Sequence, residues 1–240
     1  MITCTNINYR KSADNICDAS LGNMMFKIAG IIGIATKNGY TFGFPQWINQ
    51  SFFVNPLPPA VGSFKKKKIP GTILDIDFGF NGFDYPDNID LNGEFGSWKY
   101  FQHCDDFVRH YFTLKPQCDP YKDTILVHYR DYGLPGWHDL TDYYKKAIRK
   151  LPKKRVIVIT DNIDTAFKAT GLDCEYTSNS PIMDLYLLTQ ADYLVMGNST
   201  FSWWGAYLSK AKTVAPKSWY AGPLKGAPTK DLYLPNWILV

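Results

Sequence analysis

The sequence contains few of the residues that cross-link small secreted or zinc-binding proteins. It has five cysteines in 240 residues, an odd number, and no two of them form a Cys-x-x-Cys pair. This pattern argues against both a disulfide framework and a cysteine zinc site. It is typical of a protein in a reducing compartment, so we expect a cytoplasmic location.

Long hydrophobic runs are also missing. The longest apolar stretch near the N-terminus, residues 28–35, contains two glycines and is far shorter than the ~20 residues that span a bilayer. A secretory signal pattern is absent as well. We therefore expect a soluble protein with no transmembrane segment.

The lysine run at residues 65–68 is interpreted as a solvated loop, with contact to phosphates or a peripheral contact with an anionic membrane as the alternative.

Several function classes lack their sequence signals. The net charge of +4 is a mild excess that is not concentrated on one stretch, so a nucleic-acid partner is not expected. There is no Walker phosphate loop, no Gly-x-Ser-x-Gly elbow and no recognisable Cys–His pair. An Asp-x-Asp pair occurs only at Asp75 and Asp77, and we interpret it as structural rather than metal-binding.

The second half of the chain has a regular alternating pattern. Apolar, β-branched runs at residues 124–128, 155–160, 193–196 and 213–215 predict strands. Between them, residues 140–151, 165–170, 181–190 and 200–210 predict helices. Strands that alternate with helices in this way indicate an α/β fold with a parallel sheet covered on both faces. The first half is less regular, with helices predicted at residues 24–37 and 98–113 and long loops between them.

Ligands of such sheets bind at the carboxyl ends of the strands, and the first candidate site follows the strand at residues 124–128. His128, Arg130 and Asp131 come at its end. An arginine there can hold a phosphate through two parallel hydrogen bonds. The alternative is a surface Arg–Asp ion pair. Asp161 follows the next strand and is expected at the same edge.

The second candidate site is the polar turn at Ser199, Thr200 and Ser202. Small polar residues that open a helix place hydroxyl and backbone N–H groups where a phosphate can bind. A helix-capping role for Ser199 or Thr200 is compatible with this. The adjacent Trp203 and Trp204 are expected to pack the helix against the sheet, with sugar stacking as the alternative.

Two further polar residues stand out. Asp184 lies among apolar residues, where burial of a carboxylate is costly unless hydrogen bonds compensate. A guanine could supply such hydrogen bonds through N1 and N2, and the alternative is an exposed acid in the first turn of a helix. Asn23 follows Gly22 at a helix start and offers both a donor and an acceptor.

Several segments, taken together, resemble the alpha-1,2-fucosyltransferase family, whose members use GDP-fucose. Residues 21–29 (LGNMMFKIA) are similar to the family's N-terminal signature, and residues 198–206 (NSTFSWWGA) match its NSSFSWWGA block almost letter for letter. Residues 91–101, 158–162 and 215–238 also follow the family pattern. The similarity extends from about residue 21 to the end of the chain.

The resemblance implies a GT-B-like fold with two Rossmann-like domains facing a cleft, the N-terminal one reduced and irregular. Residues 1–120 would be the acceptor-side domain and residues 121–240 the GDP-sugar-binding domain. The implied reaction is inverting transfer of L-fucose from GDP-beta-L-fucose to a hydroxyl of a glycan that contains galactose, with an alpha-1,2 linkage. No metal is expected.

The resemblance also implies residue roles. Arg130 would bind the GDP phosphates together with the polar turn at Ser199, Thr200 and Ser202. Asp184 would contact guanine, and Asn23 would lie near the fucose or the acceptor. His128 and Asp131 are the candidates for the base, and Asp161 is a further donor-site residue.

One departure from the family leaves other functions open. The family has roughly His-x-Arg-Arg-Gly-Asp-Tyr where this chain has His128-Tyr-Arg-Asp-Tyr132, which removes one positive charge beside the diphosphate. A transferase for another GDP-sugar and a catalytically degenerate protein that binds GDP-sugars or glycans are therefore the alternatives.

Overall fold

The computed structural model describes residues 1–11, 16–18, 20–68, 79–133, 140–220, 225–227, 229 and 231–240. The Asp75 and Asp77 pair lies outside these residues. The chain divides into two compact units. The first comprises residues 1–115 and 227–234, and the second comprises residues 116–226 and 235–240.

The first unit combines a small parallel sheet with one long helix. Its sheet has the strand order β1-β5-β4, and a separate antiparallel pair joins β2 to β3. The elements are β1 (Ile2–Thr3), β2 (Tyr9–Lys11), β3 (Ile16–Asp18), α1 (Leu21–Asn38), β4 (Lys65–Lys68), β5 (Ile89–Asn92) and α2 (Asp105–Tyr111).

Helix α1 is the buried element of the first unit. It is apolar around most of its circumference, and residues 24–35 are all buried. Gly39 ends it in the left-handed region at φ 69°, where its N–H bonds back to Thr36, as the Asn38-Gly39 pair predicts. A Cβ at Gly33 would collide with the backbone of Tyr100, so this glycine permits close packing.

Two expectations for the first unit need correction. The lysine run at residues 65–68 is strand β4 rather than a loop, although its side chains are exposed. Residues 98–113 do not form one helix, because two 3₁₀ turns, Trp98–Tyr100 and Gln102–Cys104, precede the short α2. Strand β1, which precedes Leu21 and pairs with β5, was not predicted from the sequence.

The second unit is a six-stranded parallel sheet, with a helix between each consecutive pair of strands from β6 to β10; the parallel sheet with alternating helices was predicted. Its strand order is β11-β10-β9-β6-β7-β8, and every pairing is parallel. The elements are β6 (Thr124–Tyr129), α3 (Thr141–Ile148), β7 (Arg155–Thr160), α4 (Ile163–Thr170), β8 (Glu175–Thr177), α5 (Pro181–Thr189), β9 (Tyr193–Val195), α6 (Thr200–Leu208), β10 (Lys212–Ala215) and β11 (Ile238–Leu239). Strands β8 and β11 are not evident from the sequence.

The strand order reverses direction at β6. The chain runs from β6 outward to β7 and β8, and then returns to β9 on the other side of β6. Helix α5 packs on α6, and α3 packs on α4. Right-handed crossovers place these two pairs on opposite faces of the sheet. The gap between β6 and β9 is therefore the topological switch point, where open α/β sheets bind their ligands.

The tryptophans of α6 belong to the core. Trp203 and Trp204 are both fully buried. Trp203 stacks on Tyr207 and meets the edge of Trp237, with ring centroids 5.1 and 5.6 Å apart. The packing role predicted for this pair is confirmed, and burial excludes direct stacking on a sugar.

Within the described part of the chain, every helix is too short or too polar to cross a membrane.

Candidate functional site

Three adjacent strands in the middle of the six-stranded sheet bring most of the predicted residues to one edge. Strand β6 lies between β9 and β7. His128, Arg130 and Asp131 come at or after the end of β6, Asp161 follows β7, and Ser199 follows β9. Because parallel strands have their carboxyl ends at the same edge of a sheet, these residues all lie at the carboxyl edge, beside the switch point.

Arg130 forms an ion pair with Asp161. The guanidinium Nη1 lies 2.7 Å from Oδ2 of Asp161, and the side chains are 49% and 35% exposed. The other carboxylate oxygen of Asp161 accepts a hydrogen bond from the backbone N–H of Asp131 at 2.9 Å. The ion pair predicted as the alternative role of Arg130 is therefore present. A guanidinium carries five N–H donors, so the pair does not exhaust its capacity to bind an anion.

Asp131 anchors the end of β6 to the start of α4. Its Oδ1 accepts the backbone N–H of Gly133 at 2.8 Å, and its Oδ2 accepts the Asn162 amide and the Thr165 hydroxyl, both at 3.0 Å. The Gly133 N–H, followed by the two side-chain donors and Arg130, lowers the pKa of Asp131. A carboxylate with three donors and a lowered pKa is a poor proton acceptor.

His128 is buried, with 4% of its surface exposed. Its ring stacks on Phe201, with centroids 5.2 Å apart and an interplanar angle of 30°. Burial, with a smaller effect from the Arg130 charge, lowers the pKa of His128 to about 3. The imidazole is therefore neutral at physiological pH. Its Nδ1 is buried and has no hydrogen-bond partner among the described residues.

The polar turn at residues 199–202 begins helix α6. Ser199 is the N-cap residue, and its Oγ accepts the backbone N–H of Phe201 at 3.2 Å. Thr200 is the first residue of the helix and is partly exposed. Ser202 is fully buried, and its Oγ lacks a partner within the described structure. The start of α6 thus combines the backbone N–H groups of a helix N-terminus with a buried serine hydroxyl.

Gly197 begins the second candidate segment, whereas Tyr144, which is part of the same site, was not predicted from the sequence. A Cβ at Gly197 would lie 2.8 Å from the backbone oxygen of His128 and 3.2 Å from the Tyr144 hydroxyl. Tyr144 donates its O–H to the same backbone oxygen at 3.3 Å. Glycine therefore lets β9 and β6 approach closely at the switch point. The sequence feature that indicated this close approach was a glycine directly after the apolar strand predicted at residues 193–196.

Asp184 is buried in α5, with 6% of its surface exposed. Its Oδ1 accepts the Asn179 side-chain amide at 2.8 Å, and its Oδ2 accepts the Asn179 backbone N–H at 3.4 Å. Burial raises the pKa of Asp184, and the charge of Asp161 contributes in the same direction. The alternative of an exposed first-turn acid is therefore wrong.

Asn23 lies in α1 of the first unit, whereas the other eight predicted residues all lie in the second unit. It is partly exposed.

Across the described ranges, no group of three or more His, Cys, Asp or Glu side chains is arranged to hold a metal ion.

Comparison with known sequences identifies relatives of the chain. Residues 139–240 match the family described as Glycosyl transferase family 11. The chain is 31% identical over 114 residues to the O-antigen biosynthesis glycosyltransferase WbnK of Escherichia coli, covering 40% of this chain and 35% of WbnK. It is 24% identical to galactoside alpha-(1,2)-fucosyltransferase 1 of Alouatta caraya, covering 92% of this chain and 72% of that protein. A third match, 40% identical over 45 residues (18% of this chain, 16% of that protein), is to an alpha-1,2-colitosyltransferase of Escherichia coli.

The fold is shared with two solved fucosyltransferase structures. NodZ from Bradyrhizobium superimposes with a TM-score of 0.52 at 15% identity, covering 87% of this chain and 93% of NodZ. FUT1 of Arabidopsis thaliana, solved in complex with GDP, gives a TM-score of 0.52 at 12% identity, covering 89% of this chain and 70% of that one. The WbnK alignment spans about a third of the length of that relative. The family match covers residues 139–240, fewer than half of the residues, and this part of the chain is similar to glycosyltransferase family 11.

Proposed function

We propose that the protein is an inverting glycosyltransferase that moves L-fucose from GDP-beta-L-fucose to a hydroxyl of a glycan containing galactose, with an alpha-1,2 linkage. The relatives support this proposal, since one is named a galactoside alpha-(1,2)-fucosyltransferase. A NodZ structure of the same fold, with a TM-score of 0.51, was obtained from crystals soaked with GDP-fucose.

The observation that carries the proposal is the pairing of a cation with a helix N-terminus at the switch point. Arg130 follows β6 and the start of α6 follows β9, the strand beside it. A diphosphate bound there would receive hydrogen bonds from the guanidinium and from backbone N–H groups of α6. The Ser202 hydroxyl, which is fully buried, would add a further hydrogen bond once the turn opens to expose it. Ser199 supports the turn as its cap, and Thr200 begins the helix.

These groups would act on the leaving nucleotide. Glycosyl transfer passes through an oxocarbenium-like transition state, in which the bond between the sugar and the diphosphate breaks and negative charge grows on GDP. Donors already fixed in position stabilise that charge without reorganisation. Attack by the acceptor hydroxyl from the opposite side in a single displacement would invert the anomeric centre.

We assign the hydrogen bond from the acceptor hydroxyl to His128 rather than to Asp131. The Asp131 oxygens already accept three hydrogen bonds, whereas Nδ1 of His128 is buried without a partner in the described structure and would become exposed when the acceptor binds. A neutral imidazole nitrogen can accept a hydrogen bond, but the pKa of about 3 makes it a weak base. The hydroxyl would therefore keep its proton until late in the reaction.

The remaining assignments follow the same proposal. Asp184 would exchange its hydrogen bonds with Asn179 for the N1 and N2 donors of guanine, and Asp161 would orient Arg130. Asn23 would contact the fucose or the acceptor from the first unit, which we propose as the acceptor-side domain of a GT-B-like enzyme. Transfer would need no metal ion.

A second candidate is transfer of a different sugar to the same kind of acceptor. The alpha-1,2-colitosyltransferase matches 45 residues at 40% identity, and the shortened motif at His128–Tyr132 removes one cation from the family pattern. Arg130 and the start of α6 contact the diphosphate in either case, so they do not distinguish the sugars.

The test is a transfer assay with GDP-fucose, GDP-mannose, GDP-colitose and a UDP-sugar, each with an uncharged galactoside, in the presence and absence of EDTA. The proposal predicts fucosylated product only with GDP-fucose and equal rates with and without EDTA. Product only with GDP-colitose would establish the second candidate. Stabilisation by GDP without any product would identify a binding protein.

A further inference from the structure

A hydrogen bond joins the loop after β6 to the turn after β9, across the switch point of the second unit. Tyr132 donates its hydroxyl to the backbone oxygen of Asn198 at 2.9 Å. Tyr132 lies three residues beyond the end of β6, and Asn198 directly precedes Ser199, the N-cap residue of α6. The bond therefore connects the segment that carries Arg130 to the turn from which α6 begins.

The segment at residues 130–132 is also fixed on the side away from β9. Arg130 pairs with Asp161, which follows β7. Asp131 accepts hydrogen bonds from two side chains at the start of α4. Only Asp131 separates Arg130 from Tyr132, and the peptide units between them are planar and rigid. The position of Tyr132 is therefore coupled closely to that of Arg130.

The turn after β9 is held from both neighbouring strands. Asn198 is buried, and its amide nitrogen donates to the backbone oxygen of Trp219, in the loop after β10, at 3.2 Å. On the other side, Gly197 packs against β6, where a Cβ would lie 2.8 Å from the backbone oxygen of His128. The Tyr132 hydroxyl adds a contact from the loop after β6 itself. The turn is thus fixed relative to the loops on either side of it.

The oxygen that Tyr132 contacts belongs to the peptide that leads into α6. The carbonyl of Asn198 and the N–H of Ser199 are part of one planar peptide unit, so the direction of one determines the direction of the other. Helix α6 begins at the next residue, Thr200. A hydrogen bond to the Asn198 oxygen therefore constrains the direction in which α6 starts and presents its backbone N–H groups, which are the groups that bind phosphates at helix N-termini.

Tyr132 itself lies outside the core, with 39% of its surface exposed. A hydroxyl at such a position can exchange a backbone oxygen for water at small cost, so its hydrogen bond contributes little to the stability of the fold. The larger consequence of the bond is geometric. It keeps two polar segments, the one that carries Arg130 and the start of α6, in a fixed relation.

We propose that Tyr132 is a positioning residue of the diphosphate site, whose hydroxyl aligns the N-terminus of α6 with Arg130. This inference rests on the proposed function and adds to it the residue that aligns the two halves of the donor site. Small displacements of fixed donors reduce their stabilisation of developing charge. Loss of the hydroxyl should therefore weaken contacts with the diphosphate and leave those with the base unchanged.

The first experiment measures binding of GDP, inorganic pyrophosphate and guanosine to the full chain by calorimetry. Wild type is compared with Tyr132→Phe, which removes the hydroxyl and keeps the ring, and with Tyr176→Phe. Tyr176 is the matched control because its hydroxyl also donates to a backbone oxygen in the second unit, that of Leu172, at 2.9 Å. It belongs to β8, which lies two strands away from β6.

In Tyr132→Phe the affinities for GDP and pyrophosphate should fall roughly tenfold, because hydrogen bonds to a charged group are weakened. The affinity for guanosine, which has no phosphate, should not change, and the melting temperature should stay close to that of wild type. Tyr176→Phe should match wild type with all three ligands. Unchanged GDP affinity in Tyr132→Phe, or an equal loss for guanosine, would overturn the proposal, because a purely structural role does not distinguish the phosphates from the base.

The second experiment measures transfer from GDP-fucose to an uncharged galactoside. Tyr132→Phe should lower kcat, since the leaving diphosphate is stabilised less, and the KM for the galactoside should remain that of wild type. Tyr176→Phe should retain both constants. A higher KM for the galactoside with unchanged kcat would contradict a role at the diphosphate.

The two proposals fail in different ways. If wild type binds neither GDP nor pyrophosphate, the donor site is rejected, and the role of Tyr132 with it. If wild type and Tyr132→Phe bind GDP and transfer fucose equally well, only the positioning role is rejected. Binding of GDP and pyrophosphate that depends on the Tyr132 hydroxyl, without any transfer, would retain the positioning role and reject the transferase.

Discussion

His128 and Phe201 lie stacked across the switch point of the second unit, with ring centroids 5.2 Å apart. His128 is the next-to-last residue of strand β6, and Phe201 belongs to the first turn of α6. This contact ties the strand that presents Arg130 to the helix whose N-terminus faces the same edge. The proposed diphosphate site therefore has its two halves fixed together before a ligand arrives, which is the condition for electrostatic stabilisation without reorganisation.

Replacement of Arg130 by alanine should lower kcat/KM for fucosyl transfer by about 10²–10³-fold, since one fixed donor to the leaving group is lost. Steady-state kinetics with GDP-fucose measure this. Arg155→Ala is the matched control, because Arg155 begins β7 at the opposite end of the sheet and forms an exposed ion pair with Glu175. Equal losses in the two variants would remove Arg130 from the site.

Replacement of Ser199 should affect the stability of the fold, whereas replacement of Ser202 should affect the binding of GDP. Ser199→Ala removes the N-cap hydrogen bond and should cost about 1 kcal/mol of unfolding free energy. Ser202→Ala removes a buried hydroxyl without a described partner, so the apo protein should keep its stability. Its affinity for GDP should fall roughly tenfold, because a hydrogen bond to a charged group is lost.

Chemical denaturation and GDP titration of both serine variants provide the measurements. A loss of stability in Ser202→Ala with unchanged GDP affinity would show that the hydroxyl serves the fold and not the ligand.

His128 should make the protein less stable in acid. Its pKa is about 3 in the folded chain and about 6.5 when unfolded, so the unfolded state binds the proton more tightly. Stability should therefore fall as the pH drops from about 6.5 towards 3, by at most about 1.4 kcal/mol per pH unit from this residue. His128→Gln should flatten the slope in urea denaturation measured across that range. An unchanged slope would mean that His128 is hydrated in the folded state.

Gly197→Ala should destabilise the second unit. The added Cβ would lie 2.8 Å from the backbone oxygen of His128, and backbone cannot move away cheaply in a sheet interior. We expect a loss of about 1–3 kcal/mol, the usual cost of overpacking. The comparison is Gly197→Ala combined with Tyr144→Phe, which removes the other close hydroxyl. This second substitution should not restore the stability lost in Gly197→Ala. A Gly197→Ala variant as stable as wild type would show that β9 can shift.

The sequence predicted the second unit well because its signals are local. Strand β7 agrees with the predicted residues 155–160, and the helices differ by a few residues at their ends. β-Branched runs and capping residues determine such elements without reference to distant contacts. Strands β8 and β11 have two or three residues each, which is too short for a periodic pattern.

The first unit was predicted less well because its elements depend on distant partners. Strand β4 consists of four lysines, which have low strand propensity, and forms through its pairing with β5 more than twenty residues later in the chain. Strand β1 was not predicted for the same reason, because it also forms through its pairing with β5. In the candidate site, the chemistry of Arg130 and Ser199 was visible in the sequence. The close approach at Gly197 and the three donors on Asp131 required the fold.

The most direct test of the central claim is the thermal stability of the protein with GDP, GDP-fucose, GDP-mannose and UDP. A ligand at 100 times its Kd should add about 2.7 kcal/mol of stability. The account predicts this gain with GDP and GDP-fucose, little or none with UDP, and its loss in Arg130→Ala but not in Arg155→Ala. Stabilisation by no guanine nucleotide, or equal stabilisation by UDP, would contradict the assignment of a GDP-sugar site to the second unit.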